Sequence, residues 1–141
     1  MAPVARFRVD TSDEPRVRYP KIDERITTLL SAGLMATCGT LDAELLFTAR
    51  SSADYERIRS LRRASMEYLP IDDAHWQQAM QAQRALAASG RHRAVGIVDL
   101  LTAVVAAEHR LTLLHYDADF EIAASVIDVD QQWVARRGSL R

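Results

Sequence analysis

The amino-acid sequence predicts an α/β fold built around a parallel central sheet, and three observations support this fold class. Short apolar runs of strand length alternate with amphipathic segments of helical length along a chain of 141 residues. The helical segment at residues 100–107 is apolar almost all round, which is typical of a helix buried against a sheet. Acidic residues follow predicted strand ends, and ligands bind at that edge of open α/β sheets.

The predicted strands are short apolar or alternating runs bounded by charged and turn-forming residues. They cover residues 5–9, 34–38, 68–71 and 111–114, with a last edge strand at 126–129. The first strand carries more charge than a central parallel strand usually does. The run at 111–114 is continuously apolar, which favours a strand buried on both faces.

The other helices are predicted from apolar residues three and four positions apart. They cover residues 22–30, 41–50, 51–66, 74–88 and 120–125. Gly33 and Gly90 are expected to end two of these helices, and Asp72-Asp73 is expected to cap the helix at 74–88. The arginines between positions 57 and 63 are interpreted as a solvated helix face. Because strands and helices alternate, we expect helices on both faces of the sheet.

Composition argues against several classes of protein. The net charge of −1 gives no overall basic field of the kind that nucleic-acid-binding domains often show. No apolar run is long enough to cross a membrane, and the first residues lack the apolar segment of a signal peptide. The single cysteine, Cys38, fits a reducing compartment and is expected to be a buried structural thiol. We therefore expect a cytoplasmic protein.

Four carboxylates occupy positions from which they can converge at one edge of the predicted sheet. Asp10 follows the first strand and Glu44 lies in the helix after the second. Asp99 heads the buried helix, and Asp117 follows the fourth strand, with Asp119 two residues later. Crowded carboxylates repel each other unless they are protonated or bind a divalent cation. Oxygen ligands favour Mg²⁺ or Mn²⁺ over zinc, and such a metal can activate water and neutralise a phosphoryl oxygen.

Each of these residues also has an explanation that needs no metal. Asp10 could end a strand, and Glu44 could be a solvated helix residue. Asp99 and Asp119 could each cap a helix. His115 is expected to form hydrogen bonds at a strand end rather than to ligate a metal. No Cys/His spacing predicts zinc, and no glycine-rich loop predicts a nucleotide cradle.

Four ordered motifs resemble those of PIN-domain ribonucleases, most closely the VapC-type toxins of bacterial, mycobacterial-like toxin–antitoxin pairs. The motifs are Asp10-Thr11-Ser12, Glu44-Leu45-Leu46, Val98-Asp99-Leu100-Leu101 and His115-Tyr116-Asp117-Ala118-Asp119-Phe120. The resemblance extends over residues 9–138. It implies a three-layer α/β/α sandwich with a parallel central sheet, formed by residues 1–141 as a single PIN-like domain.

The resemblance also implies an activity, a cofactor and partners. The protein would be the toxin of a type II toxin–antitoxin system, a Mg²⁺- or Mn²⁺-dependent endoribonuclease that cleaves RNA phosphodiester bonds. By position, the catalytic residues would be Asp10, Glu44, Asp99 and Asp117. The metal would be held by Asp10, Asp99, Asp117 and Asp119, with Ser12 in support. The implied partners are a VapB-type antitoxin, an RNA substrate and a second copy of the chain, with no membrane.

Two alternatives concern the same acidic positions. The sequence departs from the family pattern at Asp13-Glu14-Pro15, where small or apolar residues usually lead into the first helix. This departure favours, as the alternative function, a catalytically impaired PIN scaffold that binds antitoxin or RNA without cleavage. A phosphotransfer domain with an acidic pocket would need a lysine late in the chain. The sole lysine, Lys21, precedes the second strand, which argues against that class.

Overall fold

The computed structural model describes residues 31–115 and 117–133, together with the backbone of residues 7–9. These ranges contain five strands and five helices. In chain order they are β1 (Phe7–Val9), β2 (Met35–Cys38), α1 (Gly39–Phe47), α2 (Ser52–Ser65), β3 (Glu67–Leu69), α3 (Asp73–Ala87), α4 (Ile97–Glu108), β4 (Thr112–His115), α5 (Asp119–Ala124) and β5 (Asp130–Trp133). The predicted helix at 22–30 lies outside the described residues.

All five strands are parallel and lie in the order β3-β2-β1-β4-β5, so the predicted parallel sheet is confirmed. β1 lies in the middle, and Val9 at its end pairs with Leu114 of β4. From β1 the chain continues to β2 on one side, whereas from β4 it continues to β5 on the other. The order therefore reverses between β1 and β4, and the crevice at the carboxyl ends of these two strands is the position where such sheets bind ligands.

Both faces of the sheet are buried. Neighbouring residues of a strand point to opposite faces. Ala36 and Leu113 lie on one face, Met35 and Leu114 on the other, and all four are at most 1% exposed. This double burial confirms the predicted α/β sandwich and explains why β4 reads as a continuous apolar run.

The helix that the sequence marks as buried, α4, lies at the centre of the core. Its residues 100–106 are all buried, and its main helical neighbour is α3. The predicted cap of α3 is confirmed, because the Asp72 carboxylate accepts the backbone N–H of His75 at 3.2 Å. Cys38 is fully buried, as expected of a structural thiol. None of the helices in the described ranges has the length and apolarity needed to span a bilayer.

The position predicted for the last strand is wrong. The backbone N–H groups of Val126 and Ile127 donate to the carbonyl of Ala123 at 3.1 and 2.9 Å, so these residues form the turn that ends α5. Val129 then packs into the core, and β5 begins only at Asp130. The apolar run at 126–129 thus reflects core contacts of a turn, which a short run of apolar residues does not distinguish from a strand.

Arg62 departs from the solvated face predicted for the arginines of α2. Its side chain is buried, and its Nε donates to Oδ1 of Asp42 in α1 at 2.7 Å. Its Nη2 donates to Oγ1 of Thr37 at 3.0 Å, and this hydroxyl donates in turn to Asp42 at 2.7 Å. The pair connects α1, α2 and β2 through charge-assisted hydrogen bonds.

Removing the guanidinium of this pair should destabilise the fold because it leaves the Asp42 carboxylate without its counter-charge. We expect Arg62→Met to lower the free energy of unfolding by about 3 kcal/mol, since breaking a buried ion pair costs more than replacing it whole. The double variant Arg62→Met/Asp42→Leu should recover most of this loss. Urea denaturation measures both. Arg57→Met is the control, because the Arg57 side chain is 63% exposed and its pair with Asp54 should contribute under about 1 kcal/mol.

Candidate metal centre

Asp99 lies in the first turn of α4. Gly96 occupies the N-cap position, and Asp99 is the third residue of the helix. The interpretation of Asp99 as an N-cap is therefore wrong. Its side chain is partly buried, at the helix end where the aligned peptide dipoles favour negative charge.

Asp117 and Asp119 lie between the end of β4 and the first turn of α5. Ala118 is the N-cap of α5, and Asp119 is the first helical residue, so Asp119 is not the cap either. The backbone N–H of Asp119 donates to Oδ1 of Asp117 at 2.9 Å. This hydrogen bond ties the Asp117 carboxylate to the beginning of the helix that carries Asp119.

The three aspartates come together. One carboxylate oxygen from each of Asp99, Asp117 and Asp119 lies within 4.8 Å of the other two, and all three side chains are partly buried. We call this group the acidic cluster. Ligand oxygens about 2.1 Å from a Mg²⁺ ion lie at most about 4.2 Å apart. Small side-chain rotations would therefore let all three oxygens reach one ion, and oxygen is the donor that Mg²⁺ and Mn²⁺ prefer.

Within the acidic cluster, Asp119 is the carboxylate whose ionised form is penalised. Burial, together with the negative charge of Asp117, raises the pKa of Asp119 above its ordinary value of 3.8. Both causes penalise the ionised carboxylate. A bound cation would remove the penalty that the charge of Asp117 imposes, so the donor set fits a divalent metal.

Glu44 does not belong to the acidic cluster. It lies one turn after Thr40 on the same side of α1, and the Thr40 and Thr102 hydroxyls are hydrogen-bonded at 2.7 Å. Thr102 follows Asp99 by one turn of α4, so this side of α1 faces the helix that carries Asp99. The Glu44 side chain is nevertheless exposed, outside the group of three carboxylates.

Asp10 and Ser12 lie outside the described residues, and their assignment stays a prediction. Val9, which precedes Asp10, pairs with Leu114, three residues before Asp117.

Comparison with known proteins decides the family, since residues 11–126 match the family model of the PIN domain. This chain belongs to the PIN-domain family. Ribonuclease VapC21 of Mycobacterium tuberculosis is 37% identical to this chain over 134 residues, which cover 95% of the chain and 97% of that protein. The resemblance to VapC-type ribonucleases is therefore confirmed over nearly the whole chain.

Solved structures agree with this assignment. The DNA-bound VapBC of Salmonella typhimurium has a TM-score of 0.72 at 21% identity, covering 94% of this chain and 100% of that chain. At this identity the likeness supports the fold. VapBC-5 of Mycobacterium tuberculosis, described as a toxin–antitoxin system, has a TM-score of 0.62 at 30% identity, covering 92% and 98%.

Sequence reasoning missed one residue that contacts His115, the strand residue two positions before Asp117. Gln131 of β5 carries an amide whose Oε1 lies 2.6 Å from Nε2 of His115. No local signal marks Gln131, because its partner is defined by the register between β4 and β5. The expectation that His115 forms hydrogen bonds at a strand end is confirmed, since its Nδ1 also accepts the backbone N–H of Asp117 at 3.1 Å.

The raised pKa of Asp119 predicts a pH-dependent penalty in the metal-free PIN domain. The folded state binds the Asp119 proton more tightly than the unfolded state, so protonation of Asp119 favours folding, and this favourable contribution is complete below pH 3.8. It is lost as the pH rises through the raised pKa. In EDTA, Asp119→Asn should therefore gain stability relative to wild type between about pH 4 and pH 7. The measurement is the difference in melting temperature between Asp119→Asn and wild type across this range, and this difference should disappear at lower pH. Asp128→Asn, an exposed control outside the acidic cluster, should show no such gain.

Proposed function

We propose that this PIN domain is the toxin of a type II toxin–antitoxin pair, a metal-dependent endoribonuclease that cleaves RNA phosphodiester bonds. The observation that carries the proposal is the acidic cluster, placed where the strand order reverses at the carboxyl ends of β1 and β4. The name of its relative, Ribonuclease VapC21, supports RNA as the substrate.

We assign the metal-binding role to Asp99, Asp117 and Asp119, with Asp10 as a further ligand, and we propose Mg²⁺ or Mn²⁺ as the ion. When bound, a divalent cation supplies an activated water and neutralises charge on a phosphoryl oxygen. The partly buried carboxylates of the cluster provide negative charge that cannot be fully solvated, and this supports cation binding.

We assign catalytic roles to Asp10, Glu44, Asp99 and Asp117. The carboxylates of Asp99 and Asp117 would hold the ion close to the reacting phosphate, where its positive charge would be needed. Glu44 is exposed on the side of α1 that faces α4, and this supports a role in taking a proton from water rather than a role as a buried ligand.

The proposal is tested by incubating purified wild-type protein with single-stranded and structured RNA in Mg²⁺, Mn²⁺ or EDTA. We expect internal cleavage with either metal, none in EDTA, and recovery when metal is restored. The chemical nature of the cleaved RNA ends distinguishes this activity from that of contaminating ribonucleases that use the RNA 2′-hydroxyl as the nucleophile. Attack by the 2′-hydroxyl leaves a cyclic phosphate, whereas attack by water does not. Binding of RNA or antitoxin without cleavage would instead support the impaired scaffold.

We also propose a VapB-type antitoxin and a homodimer as the protein's assembly, in the cytoplasm where its RNA substrate is available. The similar structures titled VapBC from Salmonella typhimurium and Mycobacterium tuberculosis support such a partner. An arginine of the antitoxin would complement the acidic cluster, because a guanidinium fork fits carboxylates. Co-expression with the protein of the neighbouring reading frame, followed by light scattering, tests both the complex and the dimer. A monomer that never binds that protein would contradict the assembly.

A further inference from the structure

His115 occupies a buried position directly before the acidic cluster. It is the last residue of β4, and its side chain is 0% exposed. Its ring lies against Phe120 and Trp133, with centroids 5.2 and 5.0 Å away. A polar ring in such surroundings is tolerated when its nitrogens are hydrogen-bonded. Both nitrogens have partners, and these partners define the ring's chemical state.

The tautomer of His115 follows from which groups can donate. The backbone N–H of Asp117 can only donate, and it lies 3.1 Å from Nδ1, so Nδ1 carries a lone pair. A neutral imidazole then holds its single proton on Nε2. Nε2 lies 2.6 Å from Oε1 of Gln131, an acceptor, and donates to it. The Gln131 carbonyl therefore stabilises the same tautomer that accepts the Asp117 N–H.

The hydrogen bonds continue from His115 into the acidic cluster. Asp117 is held at its backbone N–H by His115 and at its carboxylate by the N–H of Asp119 at 2.9 Å. The first bond restrains the main chain of Asp117, and the second connects its carboxylate to the first turn of α5. Movement of His115 would therefore be transmitted to two of the three cluster carboxylates.

We propose that His115 is a positioning residue for the metal centre and that Gln131 holds it in the required tautomer. The inference rests on the proposed function, because it assigns His115 a role toward the metal that the acidic cluster would hold. Such outer hydrogen bonds orient ligating carboxylates, and their loss typically weakens metal affinity by roughly 10- to 100-fold.

Two substitutions separate the positioning role from simple packing. In His115→Asn, the side-chain Oδ1 occupies about the place of Nδ1 and can still accept the Asp117 N–H. In His115→Gln, the amide lies one bond further out, near the place of Nε2, so it can reach Gln131 but not Asp117. Both lose the ring contacts with Phe120 and Trp133. Because asparagine is smaller, His115→Asn leaves the larger cavity and should be the less stable of the two.

The first measurement uses the metal-free full chain. Long-range ¹H–¹⁵N NMR of the wild type should show an unprotonated Nδ1 and a protonated Nε2. Hydrogen exchange of the Asp117 amide should be about tenfold faster in His115→Gln and within about threefold of wild type in His115→Asn. Gln131→Met, which removes the acceptor at Nε2, should populate the other tautomer and also speed exchange of the Asp117 amide.

The second measurement is the affinity for Mn²⁺ alone, determined by electron paramagnetic resonance. His115→Gln should bind roughly 10- to 100-fold more weakly than wild type, whereas His115→Asn should stay within about threefold despite its lower stability. Equal affinities in both variants, or equal exchange of the Asp117 amide in both, would overturn the positioning role. If wild type itself binds no Mn²⁺ and leaves RNA intact, the proposed function fails. The metal-free exchange rates then still decide whether His115 positions Asp117.

Discussion

Replacing Asp99 with asparagine should lower the rate of RNA cleavage by at least about two orders of magnitude, with little change in the fold. The substitution keeps the shape of the side chain but removes one negative charge from the acidic cluster, where Asp99 lies beside Asp117 and Asp119. Loss of one well-placed electrostatic group costs roughly 10²- to 10³-fold in kcat. Single-turnover cleavage in saturating Mg²⁺ measures the effect on the chemical step.

Asp128→Asn is the matched control for this experiment. Asp128 is exposed and lies outside the acidic cluster, so the same loss of one charge should leave the cleavage rate within about twofold of wild type. Circular dichroism and melting temperature establish that both variants are folded. If purified Asp99→Asn cleaved RNA at the wild-type rate, this result would contradict a catalytic role for Asp99.

Divalent metal should raise the melting temperature of the wild type substantially. A cation that binds only the folded state stabilises it by mass action, by about 2.7 kcal/mol at a hundredfold excess over Kd. For a chain of this length, that corresponds to a shift of roughly 8 °C. In EDTA, Asp99→Asn should melt at or above the wild type, because one of three mutually repelling charges is gone. In Mg²⁺ or Mn²⁺ it should gain less than the wild type.

The opposite expectation holds if the acidic residues are unrelated surface groups. Metal would then shift neither protein, and Asp99→Asn would be nearly neutral in EDTA. Asp128→Asn again provides the control, since it should show the full wild-type shift with metal. Equal metal-induced shifts in wild type and Asp99→Asn would show that Asp99 contributes nothing to a shared metal centre.

The sequence by itself determined the parts of this protein that depend on local patterns. The alternation of strands and helices predicted the parallel sheet, because strand and helix periodicities differ within a few residues. The continuous apolar run through Leu113 and Leu114 marked a strand buried on both faces. Asp117 and Asp119 could be assigned to a candidate metal centre because they directly follow such a strand, and Asp99 because it heads an apolar helix.

Only the tertiary structure decided which of these residues meet. Asp99 and Asp117 are separated by a helix and a strand, and the packing of α4 against the sheet brings their carboxylates together. The same long-range packing buries Arg62 against Asp42 and leaves Glu44 outside the acidic cluster. It also brings the side chains of His115 and Gln131, on neighbouring strands, into hydrogen-bond contact. Periodicity specifies which side of a helix or strand a residue occupies, whereas strand order and helix packing decide what lies opposite that side.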